Sequence, residues 1–305
     1  MGMAEAILIA VATAATPLLL AAIGELVVER SGVLNLGVEG MMLMGAVCGF
    51  GAALLTGSPW MGALAGILAG VLFSLIFGVL ALTLVTNQVA TGLALTLLGI
   101  GASGMVGEAF IGLPGVKLQP ISVPGLVDLP FGRFLFSQDP LFYISLLLVA
   151  GVAWFLFRTR AGLTLRSVGD NHGSAHALGI DVVRLRYLAV MFGGGCAGLA
   201  GAHLSLVYTT QWIENMTAGR GWIALALVVF ASWRPWRLLL SAYLFGAVSI
   251  GQLHAQAFGI SVPSQFLSAL PYLATILVLV LISRNRRLTM INTPASLGQA
   301  FVPDR

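Results

Sequence analysis

The sequence alternates between long apolar runs and short polar breaks. A helix needs about 20 apolar residues to cross the hydrocarbon core of a bilayer. Runs near this length, some of them shorter, occupy residues 6–23, 33–55, 60–85, 89–110, 141–157, 187–207, 221–233, 238–252 and 267–282. This pattern predicts an all-α, polytopic helical membrane protein of about eight to ten membrane segments surrounded by lipid. No soluble appendage interrupts the runs, so residues 1–305 are expected to form a single transmembrane domain.

The composition supports a membrane protein and excludes other classes. The chain is 58% hydrophobic and only 9% charged, with a mean hydropathy of +0.99, whereas about a quarter of a soluble domain is charged. The net charge of +4 is too small and too concentrated in loops to indicate nucleic-acid binding. Cys48 and Cys196 lack the spacing of metal ligands, so we expect small core residues and predict no metal site.

Three arginine clusters indicate which breaks face the cytoplasm. They lie at residues 158–186, 234–237 and 284–287, and positively charged loops remain on the cytoplasmic side. All three fall on that side if each intervening run crosses the membrane once. The same count places the C-terminus in the cytoplasm and the N-terminus outside.

The longest polar break, residues 158–186, contains a predicted short helix at residues 173–178. Either Asp170 or Asn171 is suited to cap its first turn. Gly179 fits the left-handed position that follows a last turn. A short capped helix on a cytoplasmic loop is typical of a docking element, and an ordinary solvated loop is the alternative.

Two apolar runs carry small residues at every fourth position. These residues are Gly62, Gly66, Gly70, Ser74 and Gly78 in the third run, and Gly193, Ala197 and Gly201 in the sixth. A row of small side chains lets another helix approach closely. We therefore expect both runs to pack against neighbouring helices.

The proline- and glycine-rich segment 112–140 has few basic residues and is expected on the outer side. Within it, residues 121–130 alternate in polarity, which favours a short strand or hairpin, with a re-entrant piece as the alternative. Residues 254–265 are expected to form a second, shorter outer loop.

Ionisable residues concentrate between the first two apolar runs. The polar residues there are Glu25, Glu29, Arg30, Asn35 and Glu39. Charged groups at membrane depth are costly and usually face protein or a water-filled path. Glu29 and Arg30 fit a buried site and a solvated cytoplasmic turn equally well. Asn35 and Glu39 lie inside an apolar run, so we predict that they are buried beside a translocation path.

Two glycine-containing pairs in the same stretch, residues 31–32 and 36–37, allow the helix to break. A broken helix exposes backbone amides and carbonyls to a translocation path. Asn87, Gln88 and Thr91 form a second polar patch at the start of a helix. Capping that helix is favoured for them, and lining the same path is the alternative.

Aromatic and polar residues also cluster after the sixth run. They are Tyr208, Gln211, Trp212, Glu214 and Arg220. Aromatic side chains at this level form an interfacial belt or part of an outer mouth that receives a substrate. The belt is favoured for Tyr208, whereas both interpretations stay open for Trp212, a further candidate for the path. His203 lies among small residues and is expected to be a hydrogen-bonded packing residue.

Enzymatic chemistry finds little support in the sequence. There is no GxxxxGK[ST], and the only lysine, Lys117, lacks the preceding glycines, so no P-loop is predicted. Residues 101–104 match the GxSG of intramembrane serine proteases, with Ser103 as nucleophile and His203 or His254 as base. Such a tetrad occurs by chance roughly a quarter of the time in so glycine-rich a chain. The protease is therefore a remote alternative, and we assign no catalytic residue.

Three motifs, in order along the chain, carry a resemblance to a known family. They are GELVVERSGVLNLGVEGMM at 24–42, GLTLRSVGDN at 162–171 with ALGI at 177–180, and GRGWIALA at 219–226 with WRP at 233–235. The chain resembles the permease subunits of bacterial ATP-binding cassette (ABC) importers for nucleosides and simple sugars, which are related to ribose and branched-chain amino acid permeases. The resemblance covers most of the chain and implies the fold of a type II-like ABC importer permease.

The resemblance also implies a division of labour among several proteins. A periplasmic or lipid-anchored binding protein delivers a nucleoside or related purine compound, with a simple sugar of the ribose type as the alternative substrate. Two permease subunits, expected as a heterodimer with a homodimer as the alternative, form the path in the bacterial cytoplasmic (inner) membrane. Partner ATPase subunits use ATP and Mg²⁺, and this chain itself is expected to bind no cofactor.

The resemblance assigns the contact with the ATPase to the central loop. In this sequence the corresponding residues are Asn171, His172, Ser174, His176, Ala177, Leu178, Gly179 and Ile180. The family pattern has Glu-Asn-Pro at positions 170–172 and Ala-Ala-Asp at 174–176, where this chain has DNH and SAH. These departures retain the helix and are expected to alter the fit to a particular ATPase.

Overall fold

The computed structural model describes residues 2–121, 125, 132–257 and 292–302, with isolated positions between 269 and 280. These residues form helices joined by short connectors, and no strand occurs among them. The helices are α1 (Met3–Arg30), α2 (Val38–Thr56), α3 (Pro59–Gly78), α4 (Gln88–Gly107), α5 (Gly132–Phe136), α6 (Pro140–Arg158), α7 (Arg160–Asp170), α8 (His172–Ala177), α9 (Val182–His203), α10 (Arg220–Phe230) and α11 (Pro235–Ala257).

Six helices in the described part of the chain are long and apolar enough to cross a membrane. They are α1, α2, α3 with its π-helical extension Val79–Thr83, α4 with the short helix Glu108–Phe110, α6, and α9 with its π-helical extension Leu204–Tyr208. This finding confirms the predicted all-α, polytopic architecture. The count of eight to ten segments stays a prediction, because most of the run at 267–282 and the possible hairpin at 121–130 lie outside the described residues.

Two predicted ends of helices are wrong. The first apolar run was expected to end at residue 23, but α1 continues to Arg30 because Glu25 and Glu29 are buried against other helices. The outer loop expected from residue 254 begins later, since His254 belongs to α11. Its Nδ1 lies 3.0 Å from the carbonyl oxygen of Ile250, one turn earlier in that helix.

The predicted loop 158–186 is largely helical rather than irregular. It contains α7, α8 and the first turn of α9, so that Arg184 and Arg186 are helical residues. Thr159 caps α7 by accepting a hydrogen bond from the Gly162 amide at 3.0 Å. Because apolar residues recur on one face of α7 with polar residues between them, this helix packs Leu165 inward while its other face stays polar.

Helix α9 occupies the centre of the bundle and packs against α1, α2 and α3. A Cβ atom added to Gly70 of α3 would overlap the carbonyl oxygen of Gly194 in α9. On other faces of α9, Gly193 contacts Val28 of α1 and Gly201 contacts the backbone of α2. These contacts confirm the close packing that the four-residue spacing of small side chains predicted.

The predicted break between the first two long helices is also confirmed. Residues 31–37, here called the connector, are not helical, and Gly32 has a φ of +86°. The connector lies at the end of the bundle where Arg30 donates hydrogen bonds to the carbonyl oxygen of Trp233. Arg186 of the first arginine cluster donates a hydrogen bond to the carbonyl oxygen of Ser31 in the connector, and Trp233 directly precedes the second cluster. These two clusters therefore lie at the same end, as expected for a common side. The third cluster, 284–287, lies outside the described residues.

Candidate functional site

The last turn of α1 carries a buried pair of charged residues that hold the turn before α11. Glu29 accepts a hydrogen bond of 2.6 Å from the indole Nε1 of Trp233, while Arg30 donates to the carbonyl oxygen of the same residue at 3.0 Å. Glu29 is 1% exposed and Arg30 6%. Of the two interpretations left open by the sequence, the structure supports the buried one.

The connector is fixed from within by Asn35, which is fully buried. The Asn35 side-chain oxygen accepts a hydrogen bond from the Gly37 amide at 2.9 Å, and the backbone N–H of Asn35 donates to the Glu25 carboxylate at 3.3 Å. The other oxygen of Glu25 is buried without a hydrogen-bond partner among the described residues. Gln88 accepts a hydrogen bond from the Leu34 amide at 2.8 Å. These contacts form a rigid corner between α1, α2 and α4.

Glu39 joins the start of α2 to the start of α10. One carboxylate oxygen accepts hydrogen bonds from the Thr217 hydroxyl at 2.6 Å and the Gly219 amide at 2.7 Å. The other oxygen accepts one from the Gly221 amide at 2.6 Å. A carboxylate at this position satisfies the free amides of the first turn and interacts favourably with the helix dipole. Glu39 is only 3% exposed, so protein groups surround this interaction.

The start of α10 lies well inside the bundle. The adjacent Gly40 packs on Gly99, which is near the middle of α4. At 1.5 Å per residue, Gly99 is about 17 Å from the beginning of α4 at Gln88, roughly half the thickness of a bilayer core. With only 11 residues, α10 is too short to cross a membrane alone. The chain therefore enters from α9, turns at mid-depth and continues as a half-helix.

A cavity of about 660 Å³ opens beside this turn. Its lining includes Glu39, Ile100, Asn215, Gly219, Trp222 and Ile223. The 209–219 loop that forms one wall contains several residues with positive φ, among them Asn215 at 55° and Ala218 at 47°. Such backbone costs on the order of 1–3 kcal/mol per residue and tends to occur at functional sites. Non-helical backbone at membrane depth is tolerated where it is buried or lines a cavity.

The structure brings only Glu39 of the predicted path residues to this cavity. Asn87 is exposed and caps α4 by accepting a hydrogen bond from the Ala90 amide at 3.0 Å. Thr91 shares a hydrogen bond of 2.7 Å with Thr86. Trp212 is buried against Gly107, and its indole N–H has no hydrogen-bond partner among the described residues. Their roles in the path stay predictions.

Apart from Glu39, none of the lining residues was singled out for the path from the sequence; the polar or large ones among them are Asn215 and Trp222. Gly219, Gly221 and Trp222 belong to a recognised motif, but motif membership does not indicate which side chains reach a cavity. Trp222 is 48% exposed, so about half of this large aromatic side chain is left uncovered beside the cavity. Only the packing of α10 against α1, α2 and α11 reveals its position.

The short helix α8 has the predicted form. Asn171, rather than Asp170, is the cap, and its side chain accepts a hydrogen bond from the Ser174 amide at 2.9 Å. Gly179 has a φ of +82° directly after the last turn. Leu178 is 81% exposed. Ile180 packs back beside Ala175. The helix therefore presents an apolar side chain on a protein surface, with its backbone ends satisfied.

His172, at the start of α8, accepts a hydrogen bond from Arg186. The Arg186 guanidinium Nη2 lies 3.3 Å from the His172 Nδ1 atom, which requires an unprotonated ring nitrogen there. Partial burial of the ring, together with the charge on Arg186, lowers the pKa of His172 below its ordinary value. Both the contact with Arg186 and the lowered pKa favour the neutral ring.

Comparison with known families matches residues 7–282 to the family described as "Branched-chain amino acid transport system / permease component". The chain belongs to this permease family. Its relatives include the guanosine ABC transporter permease protein NupQ of Bacillus subtilis, 34% identical over 87% of this permease and 88% of the relative. A protein of Haloferax volcanii, provisionally named the glucose ABC transporter permease protein TsgC13, is 42% identical over 99% of this permease and 98% of the relative.

The chain is also similar to a second nucleoside permease and to a solved structure. The nucleoside ABC transporter permease protein NupC of Lactococcus lactis is 34% identical over 87% of this permease and 88% of the relative. A provisionally assigned metal-chelate type ABC transporter, solved in an inward-facing conformation, has a TM-score of 0.50 at 19% identity, over 91% of this permease and 86% of that chain. At this identity the likeness concerns the fold alone.

The arrangement required by the serine-protease alternative is not present. The Ser103 hydroxyl donates to the carbonyl oxygen of Ile100 in its own helix at 3.1 Å. His203 instead faces Asp139, with 3.6 Å between its Nε2 atom and the carboxylate. That distance is longer than a typical hydrogen bond, and among the described residues neither ring nitrogen has a closer partner. The full burial of His203 fits the expected packing residue, and its hydrogen bond stays a prediction. Ser103 is thus a packing residue of the permease.

Proposed function

We propose that this permease is the membrane-spanning subunit of an importer that carries a nucleoside or related purine compound across the cytoplasmic membrane. Two of its relatives are named for guanosine and nucleoside transport. The observation that carries the proposal is the half-helix α10, whose first turn lies at mid-depth beside the Glu39 cavity. Discontinuous helices of this kind mark solute sites in many transporters.

The occupied end of α10 restricts the charge of the solute. A free helix N-terminus at mid-depth would favour an anionic group. Here the Glu39 carboxylate already accepts hydrogen bonds from the Gly219 and Gly221 amides, and it adds a negative charge to the cavity wall. A phosphate or carboxylate on the solute would meet repulsion, whereas an uncharged nucleoside would not. An uncharged simple sugar fits equally well, and the name of the Haloferax relative supports that second candidate.

The proposal includes a cytoplasmic ATPase that contacts α8. The apolar Leu178 side chain stands out from a short, well-capped helix, and the sequence lacks a P-loop of its own. ATP and Mg²⁺ are therefore used by the partner. A second permease subunit, a heterodimer being favoured, and a substrate-binding protein on the outer side complete the assembly. In this arrangement the C-terminus is cytoplasmic.

Uptake measurements separate the two solutes. Cells expressing the permease together with a candidate ATPase, second permease and binding protein from the same organism are supplied with labelled guanosine, labelled glucose and labelled guanosine monophosphate. We expect guanosine uptake that depends on ATP and no uptake of the monophosphate. Uptake of glucose alone would favour the sugar importer, and uptake of the charged nucleotide would contradict the role given to Glu39.

Cross-linking tests the contact with the ATPase. A cysteine at Leu178, in a background without Cys48 and Cys196, is expected to cross-link to the ATPase subunit. A cysteine at Leu97, which is 70% exposed on the membrane helix α4, is the matched control and should not cross-link. Labelling of position 178 from the outer side would refute both the sidedness and the proposed contact.

A further inference from the structure

Residues 292–302 follow the last apolar run and have no role in the function proposed above. This segment lies across the end of the bundle that carries the connector and α8. Ser296 is 4% exposed, and Leu297 packs against the main hydrophobic core. The segment is therefore built into the fold where the proposed ATPase contact is located.

Backbone hydrogen bonds tie this segment to two elements at once. The Ser296 amide donates to the carbonyl oxygen of Gly169, near the end of α7, at 2.9 Å. The Gly298 amide donates to the carbonyl oxygen of Gly32 in the connector at 3.0 Å. Gly298 has a φ of +73°, a conformation open to glycine at little cost. The segment thus bridges α7 and the corner between α1 and α2.

The Arg186 side chain strengthens this bridge and extends it to α8. It is 1% exposed, and its Nε atom donates to the carbonyl oxygen of Ser31 in the connector at 3.2 Å. Its Nη1 atom donates to the carbonyl oxygen of Gln299 at 3.2 Å, and its Nη2 atom reaches His172. One buried guanidinium therefore joins the connector, the 292–302 segment and the first residue of α8.

Phe301 completes the contact with α8. Its ring packs edge-on against His172 and His176, with centroid separations of 5.2 and 5.3 Å. The same ring borders a cavity of about 310 Å³ that Gly179 and Ile180 also line. Phe301 thus holds the helix on the side facing the bundle, while Leu178 remains exposed. A displacement of α8 acts directly on this ring.

We propose that the 292–302 segment is a coupling element that transmits movement of α8 to the connector. The proposed route runs from α8 through Phe301 and the segment backbone to Gly32, and from there to Asn35 and the start of α2, which carries Glu39. Phe301 is a positioning residue in this scheme. The inference rests on the proposed function, because it needs an ATPase that contacts α8.

The test uses the whole transporter and measures both uptake of guanosine, or of glucose if guanosine is not carried, and ATP hydrolysis. Phe301→Ala removes the ring contact, and Phe301→Tyr retains an aromatic ring. Val302→Ala alters a neighbouring side chain that is 66% exposed and serves as the control. Changes along a coupling route alter coupling by 0.5–2 kcal/mol, so uptake per ATP hydrolysed is expected to fall roughly 2- to 30-fold in Phe301→Ala.

The expected pattern is loss of uptake per ATP in Phe301→Ala, recovery in Phe301→Tyr and no change in Val302→Ala, with the ATPase copurifying in every case. An unchanged ratio in Phe301→Ala overturns the inference, as does loss of the ATPase from that variant. The Leu178 cross-link separates this inference from the function on which it rests. If the cross-link forms and the ratio is unchanged, only the coupling role fails; if the cross-link is absent, the proposed contact between α8 and the ATPase fails, and the coupling role fails with it.

Discussion

Glu39 offers the sharpest test of how the half-helix is held at mid-depth. Replacement by glutamine keeps the shape of the side chain and removes its charge. One of the two terminal positions then becomes an NH₂ group, which cannot accept a hydrogen bond. The favourable orientation keeps the oxygen towards Thr217 and Gly219 and leaves the Gly221 amide facing another donor.

The contacts allow the cost to be worked out. A hydrogen bond to a charged group contributes about 1.5–3 kcal/mol and one between neutral groups about 0.5–1.5 kcal/mol. Glu39→Gln loses one charge-assisted hydrogen bond, which costs about 1.5–3 kcal/mol. The other two bonds become neutral, and each conversion costs about 1 kcal/mol. The favourable interaction with the α10 dipole is carried by these same backbone amides, so it is not counted a second time. We expect a total destabilisation of roughly 3–5 kcal/mol, with impaired uptake because α10 is no longer held at its position.

Thermal unfolding of the purified permease, followed by the fluorescence of a thiol-reactive dye, measures this change. At about 2–4 °C per kcal/mol, Tm should fall by roughly 6–20 °C. Glu108→Gln is the matched control, because Glu108 is an exposed carboxylate beside the end of α4, and its Tm should not change. Equal Tm values and equal uptake for the two variants would refute the argument that Glu39 anchors α10.

Three further predictions concern packing, pH and the end of α8. Gly70→Ala should destabilise the permease by about 1–3 kcal/mol, because its new Cβ overlaps Gly194; Gly101→Ala, where no atom lies within 4 Å, should be neutral in the same unfolding assay. The pKa of His172 is lowered from 6.5 in the folded protein, so the unfolded chain binds a proton at this residue more readily. The stability of the fold should therefore decrease as the pH drops below about 6.5. A His172→Gln variant whose stability has the same pH dependence as the wild type would contradict this. Gly179→Asp should reduce uptake per ATP hydrolysed, since the position has a φ of +82°, whereas Gly179→Asn, which tolerates that conformation better, should have a smaller effect.

The sequence predicted the parts of the structure that depend on local chemistry. Apolar runs, four-residue spacing of small side chains and the glycine at position 179 each constrain a helix through its immediate neighbours in the chain. Predictions of where helices end failed at polar residues that bind other parts of the protein instead of water. Glu25 and Glu29 indicated the end of a helix, yet α1 continues through both residues. Glu25 accepts a hydrogen bond from the backbone of Asn35 in the connector, and Glu29 accepts one from the indole of Trp233. The arginine-rich break contained more helix than predicted because α7 buries one face against the bundle.

The sequence by itself determined that this chain is a helical membrane protein, because hydropathy is a property of the linear chain, and its three ordered motifs carried the resemblance to a permease family. Only the tertiary structure decided which polar residues meet. Glu39 and Gly221 are separated by 182 residues and joined by one hydrogen bond, and Gly298 reaches Gly32 from the far end of the described chain. Contacts between such distant residues depend on the relative placement of whole helices, which no local pattern encodes. The half-helix beside the cavity and the segment beneath α8 are both products of that placement.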